Sequence, residues 1–402
     1  YVKEADGDQF FYLHETKQAE EIVNRYVNAC FAARDRRADV SWVTAHIEAE
    51  ASQLAAKIDR FDAASFKAER RQLMEGVLQR RFYCVTGRPG FGKTQALRAL
   101  LNHLESIGES ATVLAPTGKA ALRLNEGSAP GVTWKAETID RWIFRSGLGP
   151  YIGGRAALKD MERSEKYQTT DNIIIDEMSM VDLPHLALIL RALEVHQADS
   201  IHRIILVGDE NQLPPIGCGR PFYDIINFLS EDAEREKRNL IRLTTNCRQQ
   251  YDQTVLDAAH LFAGKNRYHT DLWERLLAGG RISDFLHVQY WEDAEELQKI
   301  VHEHMDDLLT RVVADRKDLS DEKAFNKMLG LYDNGFVPQA DARQLALDRA
   351  QLLTPYRGGP AGSLGLSDFM RSRYRHDAWP DKIYRDTSFS HSDKVIRIKN
   401  LY

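Results

Sequence analysis

Eight consecutive residues constrain this chain more than any others: Gly87-Arg88-Pro89-Gly90-Phe91-Gly92-Lys93-Thr94. They fit Gly, four free positions, then Gly-Lys-Thr, the spacing of a phosphate-binding loop. The flanks give that spacing its meaning. Phe82-Tyr83-Cys84-Val85-Thr86 before it is an apolar, β-prone run, and Gln95 to Leu101 after it has helical spacing and strong helix formers. A glycine-rich turn between a strand and a helix turns backbone N–H groups and a helix N-terminus toward an anion. Gly87, Pro89, Gly90, Phe91, Gly92, Lys93, Thr94 and Gln95 are therefore the candidate nucleotide contacts. Lys93 is expected to reach the β- and γ-phosphates, and the Thr94 hydroxyl to hold Mg²⁺.

Further β-prone runs alternate with helical stretches: Ala111–Ala115, Asn172–Ile175, Ile204–Val207 and Asn239–Leu243. That alternation predicts an α/β fold with a parallel, doubly wound sheet, helices on both faces and its ligand at the carboxyl ends of the strands. Each remaining candidate in this region falls at such an end. Asp176 and Glu177 close the run Ile173-Ile174-Ile175. Buried carboxylates without a partner are costly, so a cation belongs there. Asp176 is assigned to Mg²⁺, and Glu177 to orienting and deprotonating the attacking water. Gly208-Asp209-Glu210-Asn211-Gln212-Leu213-Pro214-Pro215 closes the next run, with Asp209 and Gln212 on the nucleotide side and Gln212 suited to sensing the γ-phosphate or the water. Arg248, just past the last run, has the place of an arginine finger. Pro116-Thr117-Gly118-Lys119 makes a tight turn after Ala115; its spacing leaves a phosphate contact and a plain strand-to-helix turn both open.

Composition narrows the class without choosing it. The 402 residues are 43% hydrophobic and 28% charged, which suits a globular protein with sizeable cores, and the length suggests two or three domains. A formal net charge of −5 gives no global basic field, so any nucleic-acid grip must be local. Cys30, Cys84, Cys218 and Cys247 form no CxxC pair, which points to reduced thiols and a cytoplasmic protein. No apolar run approaches the ~20 residues of a membrane span. Starting at Tyr1 and stopping at Tyr402 after a strand-like run, the sequence reads as a piece of a longer chain.

Residues 1–68 read as a helical accessory domain, 69–238 as the phosphate-binding domain, and 239–402 as an incomplete second domain of the same kind. Within the last, 251–345 is charged and helical. Ala350 to Leu353 runs strand-like into Thr354-Pro355-Tyr356-Arg357-Gly358-Gly359, and Lys394 to Ile398 alternates like a half-buried strand.

Taken in order, the stretches Gly87–Thr94, Ala115–Ala121, Thr138-Ile139-Asp140, Ile175 to Asp182, Gly208–Gly219 and Arg248-Gln249 resemble the RecD-like branch of superfamily 1 DNA helicases, as do Leu353–Gly359 and Asp393–Asn400. Pif-type helicases share the Ser-Met and Leu-Pro-Pro stretches. The resemblance covers about residues 70–402. It implies a P-loop NTPase with RecA-like motor domains, ATP and Mg²⁺ as nucleotide and cofactor, and movement along single-stranded DNA, 5′ to 3′, with duplex separation. It gives Lys93, Glu177, Gln212 and Arg248 catalytic roles. It gives Pro116, Thr117, Gly118, Lys119 and Thr138 contacts to the strand, with Tyr356 and Arg357 joining them from the second motor domain. About residues 143–171 stand where that family has a small duplex-splitting hairpin, with Tyr151 as its stacking tip. Partner proteins in a DNA-processing complex are also implied.

Several positions depart from the family pattern. Asp140 stands where it has His, and Arg70, with Gln72 close by, stands where it has an adenine-reading glutamine. The late Lys-Ser-Gln-Gly stretch is absent. Two other classes remain open on sequence alone: a non-translocating P-loop ATPase that switches a larger DNA-processing complex, and a small-molecule kinase, which the Asp-Glu pair disfavours.

Overall fold

The computed structural model describes residues 2–5, 8–11, 13–58, 61–126, 131–152, 156–197, 200–247, 253–262, 270–335 and 351–375. An antiparallel hairpin, Val2–Ala5 (β1) with Asp8–Phe11 (β2), precedes three helices: His14–Ala32 (α1), Ser41–Ala55 (α2) and Ala63–Gln79 (α3). Strands and helices then alternate as the sequence predicts. They are Phe82–Gly87 (β3), Lys93–Ser106 (α4), Ala111–Ala115 (β4), Gly118–Asn125 (α5), Ala136–Thr138 (β5), Ile139–Arg145 (α6), Asn172–Ile175 (β6), Leu183–His196 (α7), Arg203–Gly208 (β7), Pro221–Ser230 (α8), Ala233–Asn239 (α9) and Leu240–Leu243 (β8).

The six strands form one sheet in the order β5-β4-β6-β7-β3-β8, and every neighbouring pair is parallel. β6 and β7 are buried along their whole length, as central strands covered on both faces must be. Successive side chains point to opposite faces, so each strand divides its residues between two cores. Phe82, Cys84, Ile173, Ile175, Ile204 and Leu206 pack with α1, α7 and α8 on one face. Tyr83, Val85, Ile174, Ile205 and Val207 pack with α2, α3, α4 and α5 on the other. The expected α/β sheet with helices on both faces is present. β5 is an edge strand that sequence patterning missed, since three residues are too few to show a period.

Two expected boundaries move. The N-terminal helices are not a separate body: α1 buries Ile22, Val23, Tyr26 and Val27 in one core of the sheet, and α2 and α3 supply Val43, Ile47, Leu73 and Met74 to the other. The division expected after residue 238 falls inside α9. β8, expected to begin the second domain, pairs with β3, so the first compact unit runs to Tyr251 and the second is Asp252–Tyr402.

The second unit contains helices Gln253–Phe262 (α10), Thr270–Ala278 (α11), Ala294–Val312 (α12), Asp321–Met328 (α13) and Ser363–Tyr374 (α14). A short ribbon, Gly280–Arg281 (β9) with His287–Val288 (β10), accompanies them. Val301, Met305, Leu309, Ala324, Met328, Leu366 and Tyr374 make its main core. Residues 351–354 form no strand, against expectation, and 394–398 lie outside the described residues. Among the described residues no helix is long and apolar enough to cross a membrane, and all four cysteines are free thiols.

Candidate nucleotide-binding site

The loop between β3 and α4 is shaped by glycines where the backbone needs them. Gly90 and Gly92 adopt φ of 94° and 74°, a region costly for side chains bearing a Cβ, and Gly92 caps α4. Gly87 faces β8, where a Cβ would lie 2.9 Å from the Cβ of Leu243. The result is a loop curled around its own lysine. Lys93 Nζ donates to the carbonyls of Gly87 and Arg88, the latter at 3.2 Å. Thr94 is half-buried and Gln95 exposed on the first turn of α4; Pro89 is exposed, and Phe91 is buried in the core beneath the loop.

β6 places the carboxylates. The Asp176 N–H donates to the Leu114 carbonyl at 2.9 Å, so the ladder to β4 fixes its position. Its Oδ1 accepts from the Glu177 N–H at 2.9 Å. Burial, and then the neighbouring Glu177, push the Asp176 carboxyl up to about 6, while the Lys93 ammonium pulls the other way. The strand order β6-β7-β3 puts the loop lysine and the strand-end carboxylate on one edge of the sheet. Glu177 has φ 51° and ψ 41°, and is the one non-glycine residue with positive φ among those described. Such strain persists where the surroundings impose it and clusters at functional sites. Its Oε2 is buried without a hydrogen-bond partner in the protein.

Between these two, β7 ends in Gly208 and buried Asp209. Asp209 Oδ1 accepts from the Asn211 N–H at 3.0 Å, and the Gln212 N–H donates to the Asp209 carbonyl at 3.0 Å, making a tight turn with Gln212 half-buried. Glu210 N–H donates to Thr86 Oγ1 at 3.4 Å, tying that turn to the end of β3. Lys93, Thr94, Asp176, Glu177, Asp209 and Gln212 thus share the carboxyl edge of three adjacent strands, β6, β7 and β3. Arg248 lies outside the described residues.

The donor set fits a magnesium nucleotide. The observation that tests this is the pair Asp176 and Glu177: one buried carboxylate held far above its ordinary range, and one buried carboxylate oxygen with no protein donor, both next to a loop of anion-binding geometry. Thr94 and Asp176 are the residues that would hold the cation.

The strand-contact candidates separate. Pro116, Thr117, Gly118 and Lys119 lie at the end of β4, and Thr138 at the end of β5, all on the same sheet edge. Thr117 and Thr138 also cap helices, accepting from Ala120 N–H at 3.2 Å and Arg141 N–H at 3.3 Å. Tyr151 has packing contacts that its sequence context did not suggest. It sits in a 3₁₀ turn, Gly149–Tyr151, half-buried against the core, and its hydroxyl accepts from the Glu162 N–H at 3.1 Å. Residues 143–171 contain no hairpin strands among those described. Tyr356 and Arg357 are exposed in the second unit.

Sequence reasoning missed the braces under the loop. Arg70 is no base reader: it is 1% exposed, and its Nη2 donates to the Phe91 carbonyl. Glu69 accepts from the Thr244 and Thr245 N–H groups, both at 3.2 Å, and the Cys247 N–H donates to the Gly90 carbonyl at 3.0 Å. Nothing in spacing distinguishes these α3 residues from a solvated helical face.

A parallel sheet wound in this order, with such a loop after one strand and a carboxylate pair two strands away, defines a P-loop NTPase. Residues 65–285, more than half of the chain, match the AAA_30 family model, described as an AAA domain, and the chain belongs to that family. The RecD-like resemblance is borne out among curated proteins. The RecBCD enzyme subunit RecD of Haemophilus influenzae is 30% identical over 177 residues, covering 41% of this chain and 27% of that protein. The ATP-dependent RecD2 DNA helicase of Deinococcus radiodurans is 32% identical over 192 residues, covering 48% and 23%. An uncharacterized protein of Methanocaldococcus jannaschii is 29% identical over 231 residues, covering 56% and 19%. The matches thus span between 19% and 27% of the length of these relatives. Among solved structures, a Bacteroides sp Pif1 in complex with ADP-AlF4 is 22% identical with a TM-score of 0.37, covering 59% of this chain and 56% of that one.

Proposed function

We propose that this chain is the ATP-hydrolysing motor of a DNA helicase, coupling hydrolysis to 5′ to 3′ movement on single-stranded DNA and to duplex separation. The observation that carries the reading is the carboxyl edge shared by β3, β7 and β6, which brings the Lys93–Thr94 loop to the same side of the sheet as buried Asp176 and strained Glu177. The curated relatives named as RecD and RecD2 support the helicase part of it.

Each residue has a physical task. The loop N–H groups and the N-terminus of α4 bind the phosphates. Lys93 exchanges the carbonyls of Gly87 and Arg88 for the β- and γ-phosphate oxygens. Thr94 and Asp176 hold Mg²⁺, which neutralises charge on the leaving phosphates when bound. Glu177 Oε2, which lacks a protein donor, takes the proton of the attacking water. Gln212 orients that water, and Arg248 supplies positive charge to the transferring group. Pro116, Thr117, Gly118, Lys119 and Thr138 line the strand path on the first unit; Tyr356 and Arg357 are strand contacts of the second unit taken by itself. The free thiols suit the cytoplasm. Partner proteins of a DNA-processing complex are part of the proposal, since one relative is named as a subunit of RecBCD.

The test is hydrolysis with and without single-stranded DNA of graded length. A strong, length-dependent rise that vanishes in Lys93→Ala, with nucleic-acid binding retained, is expected. A flat response in the wild type sinks the motor and favours an ATP-driven switch.

A further inference from the structure

His185, on the first turn of α7, has a carboxylate at each ring nitrogen. Nδ1 is 2.6 Å from Oδ1 of Asp182, which caps the same helix, and Nε2 is 3.3 Å from Oδ1 of Asp140 on α6. A neutral imidazole carries one N–H and one lone pair, so either tautomer leaves one nitrogen facing a carboxylate lone pair to lone pair. The imidazolium alone donates to both. Asp182 and Asp140 are the charged groups acting on it. The hydrogen bond that the ring donates to Asp182 leads in raising its pKa, burial opposes it, and Asp140 adds to the rise.

Three loops of the carboxyl edge meet at this point. Asp140 follows β5 and lies two residues past Thr138. Asp182 ends the segment that leaves β6 through Glu177 and the 3₁₀ turn Met178–Met180. The loop after β7 closes the group: a Cβ on Gly217 would fall 2.0 Å from Asp182 Oδ2, and the Leu183 N–H donates to the Cys218 carbonyl at 2.9 Å.

We propose that His185 is a positioning residue for hydrolysis, clamping Asp140 at the exit of β5 to Asp182 at the exit of β6 and so holding the turn that carries Glu177 in register with Thr138. The clamp needs the imidazolium. Because the folded-state pKa is raised, the clamp is complete below the ordinary value of 6.5 and is released as pH rises through the raised value. The link to Thr138 as a strand contact rests on the helicase reading; the link to Glu177 does not.

The experiment is the pH profile of ATP hydrolysis, with and without single-stranded DNA, for the wild type, His185→Gln, Asp140→Asn and Asp140→Glu. It is paired with NMR titration of the His185 ring. In the wild type the rate should fall roughly tenfold along an alkaline limb, the scale of a modest misplacement of a catalytic group. His185→Gln should lack that limb, Asp140→Asn should move it to lower pH together with the ring titration, and Asp140→Glu should restore it. A merely structural histidine would lower the rate at every pH and leave the limb in place. An unchanged limb in His185→Gln, or a ring that titrates at the same pH in Asp140→Asn, overturns the clamp. Failure of DNA to stimulate the wild type sinks the motor reading, while the limb in DNA-free hydrolysis and the ring titration still decide the clamp.

Discussion

Arg70 Nη2 donates to the carbonyl oxygen of Phe91 at 3.0 Å, so a buried cation on α3 supports the phosphate-binding loop from beneath. The same guanidinium lies 4.7 Å above the Phe66 ring and 4.0 Å from the carboxylate of buried Glu50. Removing it takes the donor from the Phe91 carbonyl and leaves Glu50 with only the His46 ring, 3.9 Å away, as a counter-charge. Arg70→Gln is expected to lower unfolding free energy by about 3–5 kcal/mol, the cost of breaking a buried pair, and to weaken nucleotide binding. Burial raises the Glu50 pKa against the pull of Arg70, so protonation relieves the orphaned carboxylate and the deficit should shrink as pH falls. Urea denaturation at two pH values checks this; a change under 1 kcal/mol with unchanged nucleotide affinity would refute the brace.

Gly92 shows the same packing from the loop side. A Cβ there would fall 2.2 Å from Arg70 Nη2 and 3.2 Å from Cys247 Sγ, at a φ of 74°. Gly92→Ala should cost on the order of 1–3 kcal/mol through strain and displace the loop. Nucleotide binding measured by titration calorimetry should drop with it, and wild-type affinity would show that the loop tolerates a Cβ.

The Asp176 carboxyl, pushed up to about 6, gives hydrolysis an acid limit. Below that value the group is protonated and is a poor magnesium ligand, so Mg²⁺ affinity and rate should fall together. The sign for stability is opposite. A raised carboxyl pKa means that ionisation costs the ligand-free fold stability, fully above about 6 and not at all well below the ordinary value of 3.8. Asp176→Asn should therefore raise ligand-free stability at pH 7 by on the order of 2–3 kcal/mol, at 1.36 kcal/mol per unit, and abolish hydrolysis. Equal thermal stability of the two proteins at pH 7 would contradict the buried, ionised carboxylate.

Tyr151 should behave as a packing residue. Its hydroxyl accepts from the Glu162 N–H and its ring lies against the core. Tyr151→Phe should cost about 0.5–1.5 kcal/mol and Tyr151→Ala, from a half-buried position, about 1–3 kcal/mol, read as shifts in the denaturation midpoint. Selective loss of unwinding with full stability would restore the stacking-tip role.

Local chemistry decided the most legible parts. The loop Gly87–Thr94, the apolar run ending in Asp176-Glu177 and the strand-helix alternation each obey rules that act within about ten residues, and the structure contains all three. β5, with three residues, fell below what a period can reveal, and the strand expected at 350–353 had the composition without a neighbouring strand to pair with among the described residues. Tyr151 had a Gly-rich, exposed-looking context that gave no sign of its contact with Glu162.

By itself, the sequence determined that a P-loop and a carboxylate pair sit at strand ends, because backbone turn geometry and side-chain period are local properties. Only the tertiary structure decided which strands stand side by side, and hence that Lys93 and Asp176 share one edge, that Arg70 supports the loop from below, and that His185 joins residues 140 and 182. Those relations depend on strand order and helix packing across tens to hundreds of residues, where no local pattern carries the information.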